Sequence, residues 1–114
     1  MRQRSGVLVT RGSKKKEMAM SGVLIGRVRV TDAEKYKEYS ARVPAVVAQY
    51  EGTYVVRGGP MEVLEGHWED LRMVVVTFPS MERARQWYAS PEYTPLIAIR
   101  QSASEGDLML VEGV

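Results

Sequence analysis

The sequence predicts an α+β domain in which helices cover one face of a four-stranded antiparallel sheet. Segments rich in β-branched residues alternate with segments whose apolar residues recur at helical spacing, in the order β-α-β-β-α-β. The first strand-like segment, residues 23–30, is apolar on one face and mixed on the other, as expected of a sheet that packs against helices on one side only. These observations predict the split, ferredoxin-like arrangement.

The first half of the chain supplies one strand and one helix. Alternation along residues 23–30 places Leu24 and Val28 on the apolar face. The helix is expected to begin after Asp32, because an aspartate can accept a hydrogen bond from a free N–H of the first turn, and to end before Gly52. Pro44 lies inside this helix, and we expect it to kink or break the helix, because proline has no N–H and clashes with the preceding turn.

The central connection, residues 57–60, separates two further strand-like segments. Residues 54–56 precede it, and residues 73–78 follow as the strongest strand signal in the chain. Its two glycines permit a bend, and its proline belongs at a turn or an edge, because it cannot donate to a sheet. The chain extends again over 61–64 and forms a loop over 65–70.

The second half supplies a divided helix and a last strand. Ser80 is the expected N-cap, and the inner face of the helix carries Met81, Ala84, Trp87 and Tyr88. A serine, a proline and an acid at 90–92 restart a helix, which should end at Ala103 or Ser104. A turn is predicted at 105–107 and the last strand at 108–111.

Residues 1–20 differ in composition from the rest of the chain. They hold six basic residues and one acidic residue, so they carry +5, whereas the chain carries +2 and residues 21–114 therefore carry −3. We expect a basic N-terminal tail over 1–20, disordered or an appended extension, and a single ferredoxin-like domain over 21–114. An added edge strand at 7–10, or contact of the basic cluster with phosphates or lipid headgroups, stays open. Because the folded part is mildly acidic, no nucleic-acid partner is expected.

The cysteine and histidine contents limit the chemistry. The chain has no cysteine, which removes disulfides and thiolate sites and fits a reducing compartment, so we expect a cytoplasmic protein. A single histidine, His67, excludes a multi-histidine metal site within one chain. Phosphate-loop, dinucleotide, zinc-protease and serine-elbow motifs are absent from the sequence, as is an apolar run of membrane-spanning length. We therefore expect no metal, no cofactor and no membrane partner.

A set of short motifs is spread along residues 21–114. They are Val30-Thr31-Asp32, Tyr36-x-x-Tyr39 followed by Val43-Pro44, Gly52-x-Tyr54-x-Val56-Arg57-Gly58-Gly59, Val63-Leu64-Glu65-Gly66, Phe78-Pro79-Ser80, Trp87-Tyr88-x-Ser90-Pro91-Glu92-Tyr93 and Leu110-Val111-Glu112-Gly113. In this combination the sequence resembles the family known as domain of unknown function 1330, within the dimeric α+β barrel superfamily. The resemblance implies that fold. Superfamily members include cofactor-free quinone-forming monooxygenases, lactone isomerases and haem proteins, but a fold does not determine its chemistry.

The first candidate binding group is Arg57 with Gly58 and Gly59. An arginine beside backbone N–H groups left bare by glycine can hold an anion. The alternative is that the glycines only make a bend and that Arg57 pairs with a nearby glutamate.

The second candidate binding group is aromatic and consists of Tyr39, Trp87, Tyr88 and Tyr93. Tyr39 shares one stripe at helical spacing with Tyr36 and Tyr50, which could line a pocket for an aromatic ligand. Trp87, Tyr88 and Tyr93 could form an aromatic wall together with Trp68. The alternative for both sets is that they belong to the core, as aromatic residues at helical spacing more often do.

Three further residues are candidates for proton transfer. Glu62 or Glu65 could act as a general base if burial raised its pKa, and His67 could act near neutral pH. The alternative for all three is a solvated polar loop.

Three functions remain open from the sequence. The first is a cofactor-independent oxygenase or isomerase that acts on a small aromatic or carbonyl-containing acid, with Arg57 as its anchor. The second is a module that binds such a ligand without converting it. The third is a structural or partner-binding dimer. In each case the sheet face without helices predicts a homodimer, because a second copy would bury it.

Overall fold

The structure is a computed structural model that describes residues 20–114, so the predicted tail lies outside the described residues except for Met20. The elements are β1 (Gly22–Val30), α1 (Ala33–Gln49), β2 (Thr53–Arg57), β3 (Arg72–Phe78), α2 (Met81–Tyr88), α3 (Thr94–Ala103) and β4 (Ser104–Glu112). The four strands form one antiparallel sheet in the order β2-β3-β1-β4. The predicted α+β, ferredoxin-like order with a divided second helix is confirmed.

The core lies between the sheet and the helices. Leu24 and Val28 of β1 are buried on the helix side, as the alternation predicts. They meet an aromatic group from the second half of the chain, in which Phe78, Trp87 and Tyr93 are each at most 2% exposed. Burial of large apolar side chains is the main source of folding free energy, so this layer fixes the helices on the sheet.

The predicted helix starts at Asp32 and Ser80 are confirmed. The Asp32 side chain accepts a hydrogen bond from the backbone N–H of Lys35. The Ser80 hydroxyl accepts one from the backbone N–H of Arg83. In both places a side-chain oxygen satisfies an N–H that the first turn leaves free.

The expectation that Pro44 breaks the first helix is wrong, because α1 continues through it to Gln49. Val43 and Val47, on either side of the proline, are 4% and 1% exposed and anchor both halves of α1 in the core. Packing of the apolar face therefore outweighs the local cost of the proline, as tertiary contacts commonly do for helices.

The segment after α2 differs from the prediction at two places. Ser90 does form a turn, since its hydroxyl accepts a hydrogen bond from the Tyr93 N–H, but α3 begins only at Thr94. The predicted turn at 105–107 is wrong, because these residues are part of β4 and pair with β1. Gly106 permits that pairing, since a Cβ there would lie 2.2 Å from the carbonyl oxygen of Arg27.

Candidate functional site

A small cavity lies between the helix-facing side of the sheet and helices α1 and α3. Its volume is about 40 Å³, room for a few water molecules. Valines and leucines of the sheet and of α1 form much of the wall. The aromatic and charged side chains that complete it are Tyr36, Tyr39, Tyr54, Trp87, Tyr93, Arg57, Arg72 and Arg100. An apolar enclosure with a few convergent polar groups is typical of a small-molecule site.

A chain of buried hydrogen bonds crosses one wall of the cavity. The hydroxyls of Tyr39 and Tyr93 lie 2.8 Å apart, and Nη1 of Arg100 donates to the Tyr93 hydroxyl at 3.0 Å. Trp87 stacks on Tyr93 with 4.1 Å between ring centroids. Tyr39 of α1, Trp87 of α2 and Tyr93, the N-cap residue of α3, thus form one aromatic wall.

The cavity keeps its tyrosines in the neutral form. Burial raises the pKa of Tyr39, and the hydrogen-bonded Tyr93 raises it further. Burial also raises the pKa of Tyr93, against the lowering effect of the Arg100 charge. Burial raises the pKa of Tyr54 to about 12. At neutral pH these phenols are therefore O–H donors and not bases.

A β-bulge places Arg57 at the mouth of the cavity. In β2, Tyr54 pairs with Val76 and Arg57 pairs with Val74, so that Val55 is an extra residue without an opposing partner. Side chains three positions apart in a regular strand lie on opposite faces, but the extra residue returns Arg57 to the side of Tyr54. The guanidinium carbon of Arg57 lies 4.9 Å from the centroid of the Tyr54 ring, and Nη2 donates to the Ser40 carbonyl of α1 at 2.7 Å.

Arg72, at the start of β3, is the second cation of the cavity. Its guanidinium packs against Gly58, where a Cβ would lie 2.1 Å from Nη1 of Arg72. The Nε of Arg72 is buried and has no hydrogen-bond partner among residues 20–114. Since an unpaired buried donor costs free energy, this N–H is available to a ligand that enters the cavity.

Among the described residues, the charged groups that line the cavity are all cationic. The ion pairs among the described residues involve other basic side chains, and none of them includes Arg57, Arg72 or Arg100. The indole N–H of Trp87 is a second buried donor without a partner in this part of the chain. A cavity with an excess of cations and donors favours a ligand with negative charge and acceptor oxygens.

The cavity adjoins two open clefts. One, of about 380 Å³, is lined mostly by polar residues and shares Arg100 with the cavity. The other, of about 260 Å³, shares Trp87 with it. Leu108 of β4 lines all three spaces. Because a cavity that holds benzene has a volume of roughly 150 Å³, an aromatic ligand would have to extend out of the cavity, either past Leu108 into a cleft or through the mouth at Arg57.

The structure brings together some of the predicted site residues. Arg57, Tyr39, Trp87 and Tyr93 line the cavity. Gly58 packs against the guanidinium of Arg72, and the anion site of Gly58 with Arg57 stays a prediction. Tyr88 is 44% exposed and lines the two open clefts instead.

The predicted proton-transfer residues lie apart from Arg57. Glu62, Glu65 and His67 belong to the exposed connection between β2 and β3. With Gly59, the two glutamates line a cleft of about 530 Å³ on the outer face of the sheet. Within one chain, none of the three proton-transfer candidates lines the cavity.

The sequence analysis did not single out three of the aromatic and charged lining residues, Tyr54, Arg72 and Arg100, and it considered Tyr36 only as part of a tyrosine stripe. The two arginines did carry a signal. Arg72 is in phase with Val74 and Val76 on the buried face of β3, and Arg100 follows Tyr93 and Leu96 on the buried face of α3. A cation in phase with an apolar stripe is unusual in a core and marks a candidate site.

The family described as domain of unknown function (DUF1330) matches residues 21–114 of this chain. No curated protein matches the sequence. In the residues that the structure describes, no helix combines the length and the apolar character needed to cross a membrane.

Solved structures with the same fold include proteins of unknown and of known activity. A protein of unknown function from Rhodopseudomonas palustris is 19% identical with a TM-score of 0.69, over 90% of this chain and 95% of that one. SnoaB, a cofactor-independent oxygenase from Streptomyces nogalater, is 19% identical with a TM-score of 0.58, over 82% and 92% of the two chains. A conserved protein from Bacteroides thetaiotaomicron, described as a possible oxidoreductase, is 17% identical with a TM-score of 0.56, over 82% and 97%. At these identities the likeness is one of fold.

Proposed function

The chain belongs to the DUF1330 family, and from that membership and the cavity we propose that it binds a small organic acid between its sheet and its helices. The observation that carries the proposal is the charge of the cavity: Arg57, Arg72 and Arg100 line it, and no carboxylate of residues 20–114 does. Arg100 is buried and Arg72 half-buried, and a cation withdrawn from water is costly unless an anion accompanies it. A carboxylate or enolate ligand would supply that charge.

The ligand contacts follow from the position of each group. Arg57 lies at the exposed mouth and anchors the acid group, as the sequence predicts. Arg72 Nε and Trp87 Nε1 offer two buried donors without a partner in the described chain, which suits a ligand with a second acceptor oxygen, such as a keto or phenolic oxygen. The stacked Trp87 and Tyr93 rings provide an apolar wall for an aromatic or unsaturated ligand body.

The charge of the ligand gives a direct test. A thermal-shift series compares benzoate with benzamide, which has the same shape and no charge, on wild type and on Arg57→Ala. At about a hundred times its dissociation constant a ligand stabilises a protein by ~2.7 kcal/mol, so benzoate should raise the melting temperature of wild type. Benzamide should change the melting temperature of wild type little, and benzoate should change that of Arg57→Ala little. Arg42→Ala is the matched control, because Arg42 is exposed on α1 and pairs with Glu38.

An equal response to benzoate and benzamide, or an equal benzoate shift in wild type and Arg57→Ala, would contradict the proposal. A panel of small aromatic and oxo acids without any hit would turn attention to the structural dimer.

The second candidate function is a cofactor-independent oxygenase or isomerase. Cationic arginines and neutral tyrosines in a small cavity can stabilise negative charge that develops on a substrate oxygen. SnoaB provides an example of a cofactor-independent oxygenase with this fold. Since no carboxylate in the described part of the chain lines the cavity, the roles proposed for Glu62, Glu65 and His67 remain predictions. Oxygen uptake with phenolic acids that bind, in buffer without flavin or metal, tests the oxygenase, and Arg57→Ala should slow it.

The outer face of the sheet supports a homodimer as part of the proposal. Ile25 of β1 lies between Val75 of β3 and Met109 of β4 in one cross-strand row, and Met109 and Val111 are 56% and 42% exposed. A contiguous apolar face of this kind marks an association surface. A second copy of the chain, which presents the same face, would bury it on both sides.

A further inference from the structure

Among residues 20–114, Pro44 is the only proline in the interior of a helix. It lies four positions after Ser40, whose carbonyl oxygen accepts a hydrogen bond from Arg57. Pro44 is inside α1, whereas Pro95 occupies the first turn of α3. In an α-helix the N–H of residue i+4 donates to the carbonyl of residue i. The carbonyl of Ser40 therefore has no helical donor, because position 44 is a proline.

Arg57 supplies the missing donor. Its Nη2 donates to the Ser40 carbonyl oxygen at 2.7 Å across the gap between β2 and α1. A charge-assisted hydrogen bond to a carbonyl is stronger than a neutral one, and this carbonyl can turn outward because it is free of the helix ladder. The guanidinium also lies over the Tyr54 ring, so it is fixed on two sides.

We propose that Pro44 is a positioning residue for Arg57: by leaving the Ser40 carbonyl free, it fixes the guanidinium at the mouth of the cavity. This proposal builds on the function proposed above, in which Arg57 anchors the acid group of the ligand. One hydrogen bond to Ser40 uses one of the five N–H donors of an arginine and leaves the others for a carboxylate. A side chain that is ordered before binding loses less entropy when the ligand arrives.

The substitution Pro44→Ala separates this role from a structural one. Alanine restores the N–H that donates to Ser40, so the helix should gain stability and the melting temperature should rise. At the same time the Arg57 guanidinium should lose its hydrogen bond to the Ser40 carbonyl and become mobile. If Pro44 had only a structural role, its substitution would change the melting temperature and leave the order of the Arg57 guanidinium unchanged.

The readout that requires no ligand is the NMR signal of the Arg57 guanidinium, assigned by its absence in Arg57→Lys. In wild type, slow rotation about the Cζ–Nε bond should give separate Nη signals. In Pro44→Ala these signals should average. Ser40→Ala is the matched control, because it removes the hydroxyl and keeps the carbonyl, so the signals should remain separate. Pro44→Ser repeats the test with a second residue that has an N–H.

The ligand readout is the benzoate dissociation constant. Loss of pre-organisation at one side chain should weaken binding by about threefold to tenfold in Pro44→Ala, and Arg42→Ala, at an exposed position of α1 outside the cavity, should bind as wild type does. Unchanged Arg57 signals in both Pro44 variants would overturn the proposal. If benzoate does not bind wild type, the proposed function fails for this acid, and the guanidinium signals still decide the role of Pro44.

Discussion

The guanidinium carbon of Arg57 lies 4.9 Å from the ring centroid of Tyr54, although three positions in one strand separate the two residues. The bulge at Val55 makes this possible, because it shifts the pairing with β3 by one residue between Tyr54 and Val56. A single additional residue thus decides whether the charge of Arg57 points into the cavity or onto the outer face.

The contact between Gly58 and Arg72 predicts that Gly58→Ala destabilises the protein. Gly58 has a φ of +70°, which costs a non-glycine residue about 1–3 kcal/mol, and the new Cβ would displace the Arg72 guanidinium. We expect a loss of about 2–4 kcal/mol in the free energy of unfolding, measured by chemical denaturation.

Two neighbouring glycines serve as controls for this substitution. Gly66 has a φ of +78° and open space around it, so Gly66→Ala reports backbone strain alone. Gly59 has open space and no positive φ, so Gly59→Ala should be close to neutral. A loss in Gly58→Ala no larger than that in Gly66→Ala would show that the Arg72 contact contributes nothing.

The buried hydrogen bond between the Tyr39 and Tyr93 hydroxyls predicts that Tyr39→Phe loses about 1 kcal/mol of unfolding free energy. Tyr36→Phe is the matched control, because Tyr36 is equally buried and the described residues include no hydrogen-bond partner for its hydroxyl. Urea denaturation of both variants compares them. Equal losses would assign the effect to ring packing.

The neutral tyrosines predict a loss of stability at alkaline pH. Burial raises the pKa of Tyr54 to about 12 from its ordinary value of 10.0, so the unfolded chain releases this proton first. The stabilisation is complete below pH 10 and disappears as the pH rises from 10 to 12. Unfolding free energies across this range should fall less steeply in Tyr54→Phe than in wild type, and parallel curves would contradict the expectation.

The position of Leu108 predicts that Leu108→Ala joins the cavity to its clefts. The protein should lose about 2 kcal/mol of stability, at the lower end for a Leu→Ala change because Leu108 is only half-buried. The range of aromatic acids that bind should extend to larger ones. Leu110→Ala is the matched control, since Leu110 lies on the same side of β4 and lines a cleft but not the cavity. Identical ligand ranges in the two variants would exclude a role for Leu108 in selection.

The outer sheet face predicts that Ile25→Lys dissociates a dimer. Ile25 lies at the centre of the apolar row, and a buried lysine without a partner is costly. Light scattering at micromolar concentration should give the dimer mass for wild type and the monomer mass for the variant. Ala98→Lys, on the exposed side of α3, should remain dimeric. A monomeric wild type would refute the dimer.

Local chemistry made the elements predictable. The caps at Asp32 and Ser80 depend on residues within one turn, and the apolar face of β1 follows from alternation. The continuous α1 was not predictable, because the burial of Val43 and Val47 that outweighs Pro44 involves distant parts of the chain.

The residues of the site also fall into those that local signals predict and those that only tertiary packing decides. The sequence by itself determined the order of strands and helices, the family resemblance and four residues of the cavity, because periodicity and motifs are local signals. The tertiary structure decided that Arg57 faces inward, that Arg72 and Arg100 join it, and that Glu62, Glu65 and His67 do not. These outcomes depend on a bulge and on cross-strand pairing, and pairing partners far apart in sequence are chosen only when the whole sheet packs.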